Sequence, residues 1–535
     1  MARWRAHEGK ILASGITTDQ DNNFYITGAN DDTISVWAYN DDSASDTDTS
    51  GEVDDVLLST LRDFVSYKTI SSKPEYAEDC RKGATFLGSL FKRLGGQVEM
   101  LRTENHHNPV VYAKFSGKLA SSRPRKRILF YGHYDVVSAD NEQGAWNSDP
   151  FTIKGADGYL YGRGVSDNKG PTLAALYAVT DLMQAQKLDN DVIFLIEGEE
   201  EFGSRGFEEA VKRNKILIGK VDYILLANSY WLDDDVPCLT YGLRGVLHAT
   251  VCVDSPRPDA HSGVDGSSMI NEPLSDLTQV LSTLKGPRNR VELPGFYDGI
   301  ATVTPGEDQL YDEIVSILMR RNKQAQPEQQ LKQTLMARWR VPNLTIHRYK
   351  VSGPEGSLIS SHASAHISFR LVPGQEVDDI ATTLTNFIRN KFAKLESQNN
   401  LKVTINNKAE SWLGDPTNAI FRTLERAILE AWPDCFDESS RSNQLQRVQS
   451  ANASSSTRDR SASPGGPLSK PKKPLYIREG GSIPAIRFLE KEFDAPAAHL
   501  PCGRASDAAH LDNERMSVLN LIKAREIFSK VFGGL

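Results

Sequence analysis

The sequence lacks a long hydrophobic run and contains few cysteines. No stretch of about 18 apolar residues is present, so no transmembrane helix is predicted. The first ten residues lack the apolar segment of a secretory signal. The five cysteines are odd in number and scattered, which is typical of proteins in a reducing compartment. We therefore expect a cytoplasmic protein with no membrane partner.

The sequence also has no excess of positive charge. Its 62 Lys and Arg residues stand against 70 Asp and Glu residues, for a net charge of -8. This balance argues against a general affinity for nucleic acid. Because domains hold roughly 100–200 residues, the 535 residues predict two or three folded units.

The first 40 residues read as short strands joined by polar turns. Gly28, Asp32 and Trp37 match the pattern of a WD repeat, so we interpret residues 1–40 as a partial WD-repeat blade. One blade cannot bury its own faces, which indicates a truncated or vestigial propeller. The alternative is a short strand pair packed on the main body. Residues 41–53 are acidic and rich in Ser and Thr, and they predict a linker.

From residue 54 the pattern becomes that of an α/β protein. Three short apolar runs, RILFYGHYD, DVIFLIEGEEE and DYILLANSYW, each end abruptly in polar residues, as buried central strands do. Ligand sites in such sheets lie at the carboxyl ends of strands. We predict an α/β catalytic domain from residues 54–243 and 409–535, interrupted by an α+β domain at 244–408. The Ser-, Arg- and Pro-rich stretch at about 438–472 predicts a disordered loop.

Histidine and acidic residues cluster where these runs end. His133 and Asp135 project to one side of an extended segment, and a carboxylate beside a histidine ligand fixes its tautomer. Asp167 lies in a turn, where it could bridge two cations or simply cap a helix. Glu197–Glu201 brings four carboxylates together, which requires either cations or exposure to water. With Asn228 and His510, these positions form the constellation expected of a two-metal hydrolase.

The segments GHYD, GRGVSDNKG, EGEEEFGS, GGSIP and HLDNE occur in an order that carries a resemblance. Residues 54–535 resemble the co-catalytic zinc peptidase family, which includes carnosinase, the cytosolic nonspecific dipeptidase and glutamate carboxypeptidase. The resemblance implies an α/β catalytic domain with a mixed sheet flanked by helices, and an inserted ferredoxin-like lid.

The same resemblance implies two zinc ions per subunit and a role for each candidate residue. His133 would bind one ion, Glu201 and His510 the other, and Asp167 would bridge both. Asp135 would orient His133, and Glu200 would act as the general base.

The inserted domain carries an Asp-Ala-His-Ser-Gly motif that resembles one in the family's dimerising lid. The resemblance implies a homodimer in which His261 reaches the partner's active site and polarises the scissile carbonyl; a plain surface histidine is the alternative. It also places Arg370 and the Gly480–Ser482 turn, which contains Gly481, in the substrate pocket. Arg370 could instead support a strand.

One position departs from the family pattern. The family has an Asp three residues before a Trp, whereas this sequence has Asn228 before Trp231. An amide oxygen can coordinate zinc but brings no charge, so we expect the second zinc ion to bind weakly.

The WD-like segment followed by a peptidase domain resembles a WD-repeat-bearing peptidase subunit of the fungal glutathione-degrading complex. That resemblance implies hydrolysis of the γ-glutamyl bond of glutathione with a glutamine-amidotransferase-like partner. Two alternatives stay open: a free-standing Cys-Gly or nonspecific metallodipeptidase, and a catalytically silent scaffold subunit.

Overall fold

The computed structural model describes most of the chain after residue 50 and three short stretches before it. The described parts are residues 11–19, 22–29, 34–39, 50–118, 125–139, 145–265, 269–321, 327–354, 356–436 and 471–535. The chain divides into two compact units, Met1–Val56 and Leu57–Leu535. The predicted disordered loop at 438–472 lies outside the described residues except for its last two.

The first unit contains an antiparallel sheet in the order β1 (Ile11–Asp19), β2 (Asn22–Ala29), β3 (Ile34–Tyr39). The predicted strands are thus confirmed, and the predicted polar turns lie outside the described residues. A WD-repeat blade has four strands, and the described residues supply three, so the WD-repeat assignment stays a prediction. Helix α1 (Ser50–Val65) begins before the predicted linker ends at residue 53. Acidic residues such as Glu52 are favoured in a first helical turn, which explains the earlier start.

The second unit is built of strands and helices that alternate along the chain. Its described strands are β4 (Gln97–Leu101), β5 (Val110–Phe115), β6 (Arg127–His133), β7 (Lys154–Ala156), β8 (Tyr159–Tyr161), β9 (Asp191–Glu197), β10 (Tyr223–Ala227), β11 (Cys238–Leu243), β12 (Gly245–Asp254), β13 (Ala260–His261), β14 (Asn343–Val351), β15 (Leu358–Ile359), β16 (His362–Leu371), β17 (Asn400–Ala409), β18 (Trp412–Leu413), β19 (Leu475–Glu479), β20 (Ala497–Leu500) and β21 (Arg515–Ser517). Its other described helices are α2 (Ala77–Arg93), α3 (Lys169–Gln184), α4 (Phe207–Arg213), α5 (Lys215–Ile218), α6 (Pro273–Ser282), α7 (Pro305–Arg321), α8 (Glu328–Arg340), α9 (Val377–Ala393), α10 (Ala419–Ala431), α11 (Pro484–Phe493) and α12 (Val518–Gly534).

The main sheet is mixed, which confirms the predicted α/β class. Its order is β18-β11-β20-β10-β6-β9-β5-β4, and β19 pairs with β11. Strands β20, β10, β6 and β9 are parallel, so their carboxyl ends share one edge. β9 is buried at every position and β6 at all but its first, which explains why both are apolar runs without alternation.

Helices cover this sheet and complete its core. α3 is buried on nearly all sides because it packs against both β6 and α12. All five cysteines are free in the structure. Among the described residues, no helix is long and apolar enough to cross a membrane.

The inserted domain has the predicted ferredoxin-like topology. Its antiparallel sheet has the order β14-β16-β12-β17, and α6 and α9 pack against it around a separate hydrophobic core. The predicted bounds of this domain, 244–408, stay a prediction, but α7 and α8 lie within them and pack into the core of the catalytic domain. Their buried Tyr311 and Trp339 join that core, and both helices pack against β19.

A single buried carboxylate, Glu514, shapes the loop that carries Asp167. It is 1 % exposed and accepts hydrogen bonds from Arg163 Nη1 (2.8 Å), Gly164 N (3.0 Å), Ser166 N and Oγ (3.1 and 2.8 Å) and Asp167 N (3.2 Å). Several donors converge on one carboxylate, so the loop has one preferred conformation.

We expect Glu514→Gln to destabilise the protein strongly. The change leaves the buried Arg163 without its counter-ion and puts an amide donor against backbone donors, at a cost of about 3 kcal/mol. Urea unfolding should show this loss. Glu78→Gln is the matched control, because Glu78 pairs with Arg81 on the exposed surface and should change stability little. Equal stability of the two variants would contradict the expectation.

Candidate metal centre

Three neighbouring parallel strands bring the candidate residues to one edge of the sheet. β6 ends at His133, which pairs in register with Glu197 at the end of β9. β10, on the other side of β6, ends at Ala227, just before Asn228. The polar residues that follow each apolar run therefore meet at the carboxyl ends of the strands, as the sequence predicts.

His133 is buried and contacts acidic residues through both ring nitrogens. Its Nε2 lies 3.0 Å from Asp167 Oδ1, and its Nδ1 lies 3.5 Å from Asp135 Oδ1 and 3.1 Å from the Asp135 carbonyl oxygen. Burial lowers the pKa of His133, but hydrogen bonds to Asp135 and Asp167 outweigh burial and raise it well above its ordinary value. Asp135 thus contacts the ring through its carbonyl oxygen and its carboxylate, and its predicted role in orienting His133 stays a prediction.

Asp167 lies between the two histidines of the centre. Its Oδ2 is 3.0 Å from His510 Nε2, and the same nitrogen is 3.2 Å from Glu201 Oε1. Burial raises the pKa of Asp167, yet the hydrogen bonds of His133 and His510 lower it far more. Hydrogen bonds to Asp167 and Glu201 raise the pKa of His510 to about 11. Asp167 thus contacts both histidines, and its bridging of two ions stays a prediction.

Glu200 and Glu201 form a short turn whose backbone is anchored by Asp135. Both Asp135 oxygens accept hydrogen bonds, from Glu200 N (3.1 Å) and Glu201 N (3.0 Å), and Ser71 Oγ donates a third (2.7 Å). Asp135 therefore positions the acidic turn as well as His133, a task that the sequence alone did not reveal.

The chemistry of this donor set fits zinc. One oxygen or nitrogen from each of His133, Asp167 and Glu201 lies within 4.8 Å of the others. Glu201 Oε1 is shielded from solvent and lies 3.2 Å from His510 Nε2. Imidazole nitrogens and carboxylate oxygens are zinc's usual ligands, and a cation stabilises carboxylates that are buried close together.

Asn228 lies beside His133, where the spacing from Trp231 predicts it. Its Nδ2 is 3.4 Å from His133 Nε2. The neutral ring of His499 holds the Asn228 backbone, since Nε2 lies 2.8 Å from the Asn228 carbonyl oxygen. Burial lowers the pKa of His499 to about 4, so this ring stays uncharged.

Asp233 and Asp234, in the acidic loop that follows Trp231, accept hydrogen bonds from backbone amides. Asp233 Oδ1 accepts hydrogen bonds from two backbone amides of its own turn, Asp235 N and Val236 N. Asp234 Oδ1 accepts one from Ser506 N. Asp233 is also absent from the described residues that line the cavity at the centre.

A cavity of about 390 Å³ opens onto the centre. Asp167, Glu200 and Glu201 line it. Of the predicted pocket residues, Arg370, Gly481 and Ser482 line it as well. Arg370 Nη1 donates to Ser482 Oγ (3.1 Å), while the Gly480 carbonyl accepts from Arg244 Nε (3.2 Å). The cavity is therefore acidic near the metal ligands and carries a guanidinium group elsewhere in its lining.

His261 is not brought to this cavity. It lies exposed on β13 in the inserted domain, and its Nδ1 accepts a hydrogen bond from Gly263 N (3.1 Å). His261 is absent from the described residues that line the cavity of its own chain. Its predicted catalytic role therefore requires a second copy of the chain.

Sequence reasoning missed the residues that support the ligands. Asn168 accepts a hydrogen bond from His133 N (3.3 Å) and donates to the Ala227 carbonyl, which ties β6 to β10. Gly132 permits this approach, because a Cβ there would lie 2.7 Å from Asn168 Oδ1. Asn168 and Glu514 lie inside motifs that the sequence displays, but their partners are distant in the chain and only the fold reveals them.

Comparisons with known proteins indicate a family of peptidases. The profile of Peptidase family M20/M25/M40 matches residues 129–440. The "Probable di- and tripeptidase DUG2" of Saccharomyces cerevisiae is 35% identical over 99% of this chain, which spans 59% of that relative's length. The "Cys-Gly metallodipeptidase DUG1" of Candida albicans is 31% identical over 91% of this chain and 95% of its own.

A solved structure is similar over nearly the same span. The dipeptidase Dug1p from Saccharomyces cerevisiae superimposes with a TM-score of 0.71 at 25% identity, covering 90% of this chain and 96% of that one. The predicted metallopeptidase-type hydrolase is thereby confirmed at the level of the family. With this fold, this donor set and these relatives, the chain belongs to Peptidase family M20/M25/M40.

Proposed function

We propose that the chain is a zinc-dependent hydrolase of short peptides, acting as a Cys-Gly or nonspecific dipeptidase. The observation that carries this proposal is the His133–Asp167–His510 cluster, of which Asp167 and His510 line a cavity that also contains Arg370. The printed names of the relatives, a Cys-Gly metallodipeptidase and a di- and tripeptidase, support this class of substrate.

Two zinc ions would be held by the residues of the centre. His133 and Asn228 would hold one, Glu201 and His510 the other, and Asp167 both. Bound zinc supplies Lewis-acid activation of water and of the scissile carbonyl. Because Asn228 carries no charge, we expect one tightly bound ion per chain and a second that dialysis removes.

Glu200 is the proposed general base. Burial, together with the charges of Glu201 and Asp167, raises the pKa of Glu200 well above its ordinary value despite an opposing effect of His133. A raised pKa suits a carboxyl group that takes a proton from water and returns it to the leaving amine. Asp135 fixes the backbone of Glu200, so the carboxyl group has a defined position.

Substrate orientation follows from the charges around the cavity. The guanidinium group of Arg370 and the hydroxyl of Ser482 can bind the carboxylate of a short peptide. Gly481 leaves room beside them. We further propose a homodimer through the inserted domain, in which the partner copy supplies His261 to the scissile carbonyl.

A second candidate function is γ-glutamyl hydrolysis of glutathione with a glutamine-amidotransferase-like partner. Two observations favour it: the likeness to the DUG2 relative extends over 99% of this chain, and the uncharged Asn228 lies beside His133, where we expect weaker metal binding. A silent scaffold role in such a complex is the remaining alternative. The intact set of His133, Asp167, Glu201 and His510 argues against it.

We expect the purified chain to hydrolyse Cys-Gly without any partner and to lose this activity after chelation. Amine release from Cys-Gly and from glutathione, measured side by side with and without an amidotransferase-like protein, tests this. Glutathione cleavage that requires the added protein would favour the second candidate. Activity that survives complete removal of metal would contradict both.

We expect Glu200→Gln to lower kcat by about a thousandfold and to leave zinc content unchanged, because the base is not a ligand. Glu201→Gln is the matched variant, and it should lose zinc. Metal analysis of both variants measures their zinc content, and steady-state kinetics measures their kcat. Zinc loss in Glu200→Gln alone would mean that the two roles are exchanged.

We expect zinc affinity to rise with pH. In the metal-free protein the raised pKa of His510, about 11, keeps its ring protonated at neutral pH. A histidine must be neutral to bind zinc, so binding displaces that proton, and affinity should increase about tenfold per pH unit for each proton released. Calorimetry between pH 6 and 8 measures the zinc affinity. Repeating it in buffers of different ionisation enthalpy gives the number of protons released. An affinity independent of pH would show that His510 is not a ligand.

A further inference from the structure

The cavity at the centre receives groups of opposite charge from the two domains that line it. The catalytic domain contributes the acidic residues and His510, which contacts two of them. Among the described lining residues, those of the inserted domain that can carry a charge are His248 and Arg370, and both are basic. The inserted domain thus contributes a basic side to the cavity.

His248 lies on the sheet face that points away from the helices of the inserted domain. Its neighbours on β12, Leu247 and Ala249, are buried in the core that this sheet forms with α6 and α9. Side chains alternate along a strand, so His248 projects from the opposite face. Arg370 projects from that face too, because its neighbour Phe369 on β16 belongs to the same core.

His248 and Arg370 are close enough on this face to contact one ligand. In the register of β12 and β16, Val246 lies opposite Arg370 and His248 lies opposite Ser368. His248 and Arg370 are thus diagonal neighbours, a separation that long side chains can span. Within the described part of the chain, the His248 ring makes no hydrogen bond, so its nitrogens are available to a ligand in the cavity.

Other basic side chains share this face of the sheet. His366 lies four residues before Arg370 on β16, so alternation puts it on the same face. His347 on β14 pairs with His366 in register, and their ring centroids lie 6.2 Å apart. Asp254, an acidic residue of β12 on this face, lies at the other end of the strand and pairs with His362 (2.6 Å). The part of the face next to the cavity therefore favours an anion.

We propose that His248 and Arg370 form a subsite for two carboxylates, so that the enzyme favours dipeptides whose C-terminal residue is acidic. Arg370 binds the terminal carboxylate, and His248, in its protonated form, binds the side-chain carboxylate of the same residue. The two carboxylates of a C-terminal Asp are only a few bonds apart, which suits two neighbouring basic groups. The proposal rests on the proposed peptidase function and deepens it, since it names the class of substrate.

Binding of a carboxylate at His248 takes up a proton. Burial lowers the pKa of this ring, and the charges of Arg370 and two other histidines lower it further, so the free ring is neutral at neutral pH. The groups that face it are Arg370 and His366 on β16, His347 on β14 and the uncharged Asn407 on β17. An anion beside the ring favours the charged form and raises its pKa. The preference for an acidic dipeptide is therefore greatest at low pH and is lost as the pH rises.

Hydrolysis of Ala-Asp and Ala-Asn by the zinc-loaded, full-length chain tests this. The two dipeptides have nearly the same shape and differ in the side-chain charge. We expect kcat/KM for Ala-Asp to exceed that for Ala-Asn by about tenfold at pH 6, and the ratio to fall toward pH 8. The ratio cancels the pH dependence of the metal centre, because both substrates use the same centre.

Two variants of His248 separate its charge from its shape. His248→Gln cannot be protonated, so the ratio should fall below about twofold at every pH. His248→Lys is charged throughout this pH range, so the preference should persist and no longer depend on pH. His362→Gln is the matched control on the same face, and it should leave the ratio and its pH dependence unchanged. Circular dichroism and metal analysis check that each variant is folded and loaded with zinc.

Two sets of results would overturn the proposal. A ratio near one in the unmodified chain, or a ratio that rises with pH, would show that no carboxylate is bound by a protonated His248. An equal ratio in His248→Gln and in the unmodified chain would assign the preference to Arg370 alone. If the unmodified chain hydrolyses neither dipeptide nor Cys-Gly, the proposed function itself fails.

Discussion

Negative charge buried at the carboxyl ends of the central strands is the constraint on which the rest of this site depends. Asp167 is held between His133 and His510, and Glu201 contacts the same His510 nitrogen. Carboxylates this close together repel one another, and burial removes the water that would screen them. Hydrogen bonds to Asp167 and Glu201 raise the pKa of His510 to about 11, so a charged imidazole offsets part of this negative charge.

Two other carboxylates hold the ligands in place and do not themselves face the cavity. Glu514 gathers donors from the loop before α3, and Asp135 gathers the backbone amides of the Glu200–Glu201 turn. Each satisfies several buried N–H groups at once, so each fixes a loop that would otherwise adopt many conformations. The precision of the centre therefore comes from acids that are distant in sequence from the residues they position.

The charge pattern of the cavity connects the centre to its proposed substrates. Acidic groups surround the metal position, while Arg370 and Ser482 offer a site for a carboxylate. A short peptide carries its carboxylate within a few bonds of its peptide group, so a cavity of about 390 Å³ can hold both ends of it.

The sequence by itself determined the α/β class, because apolar runs that end in His, Asp and Glu are typical of buried strands with polar groups at their ends. It also gave His133, Asp167, Glu201 and His510 as candidates, and the structure brings their side chains together. Only the tertiary structure decided that α7 and α8 join the catalytic core and that Glu514 shapes the Asp167 loop. These features depend on contacts between residues far apart in the chain, and local periodicity carries no information about such contacts.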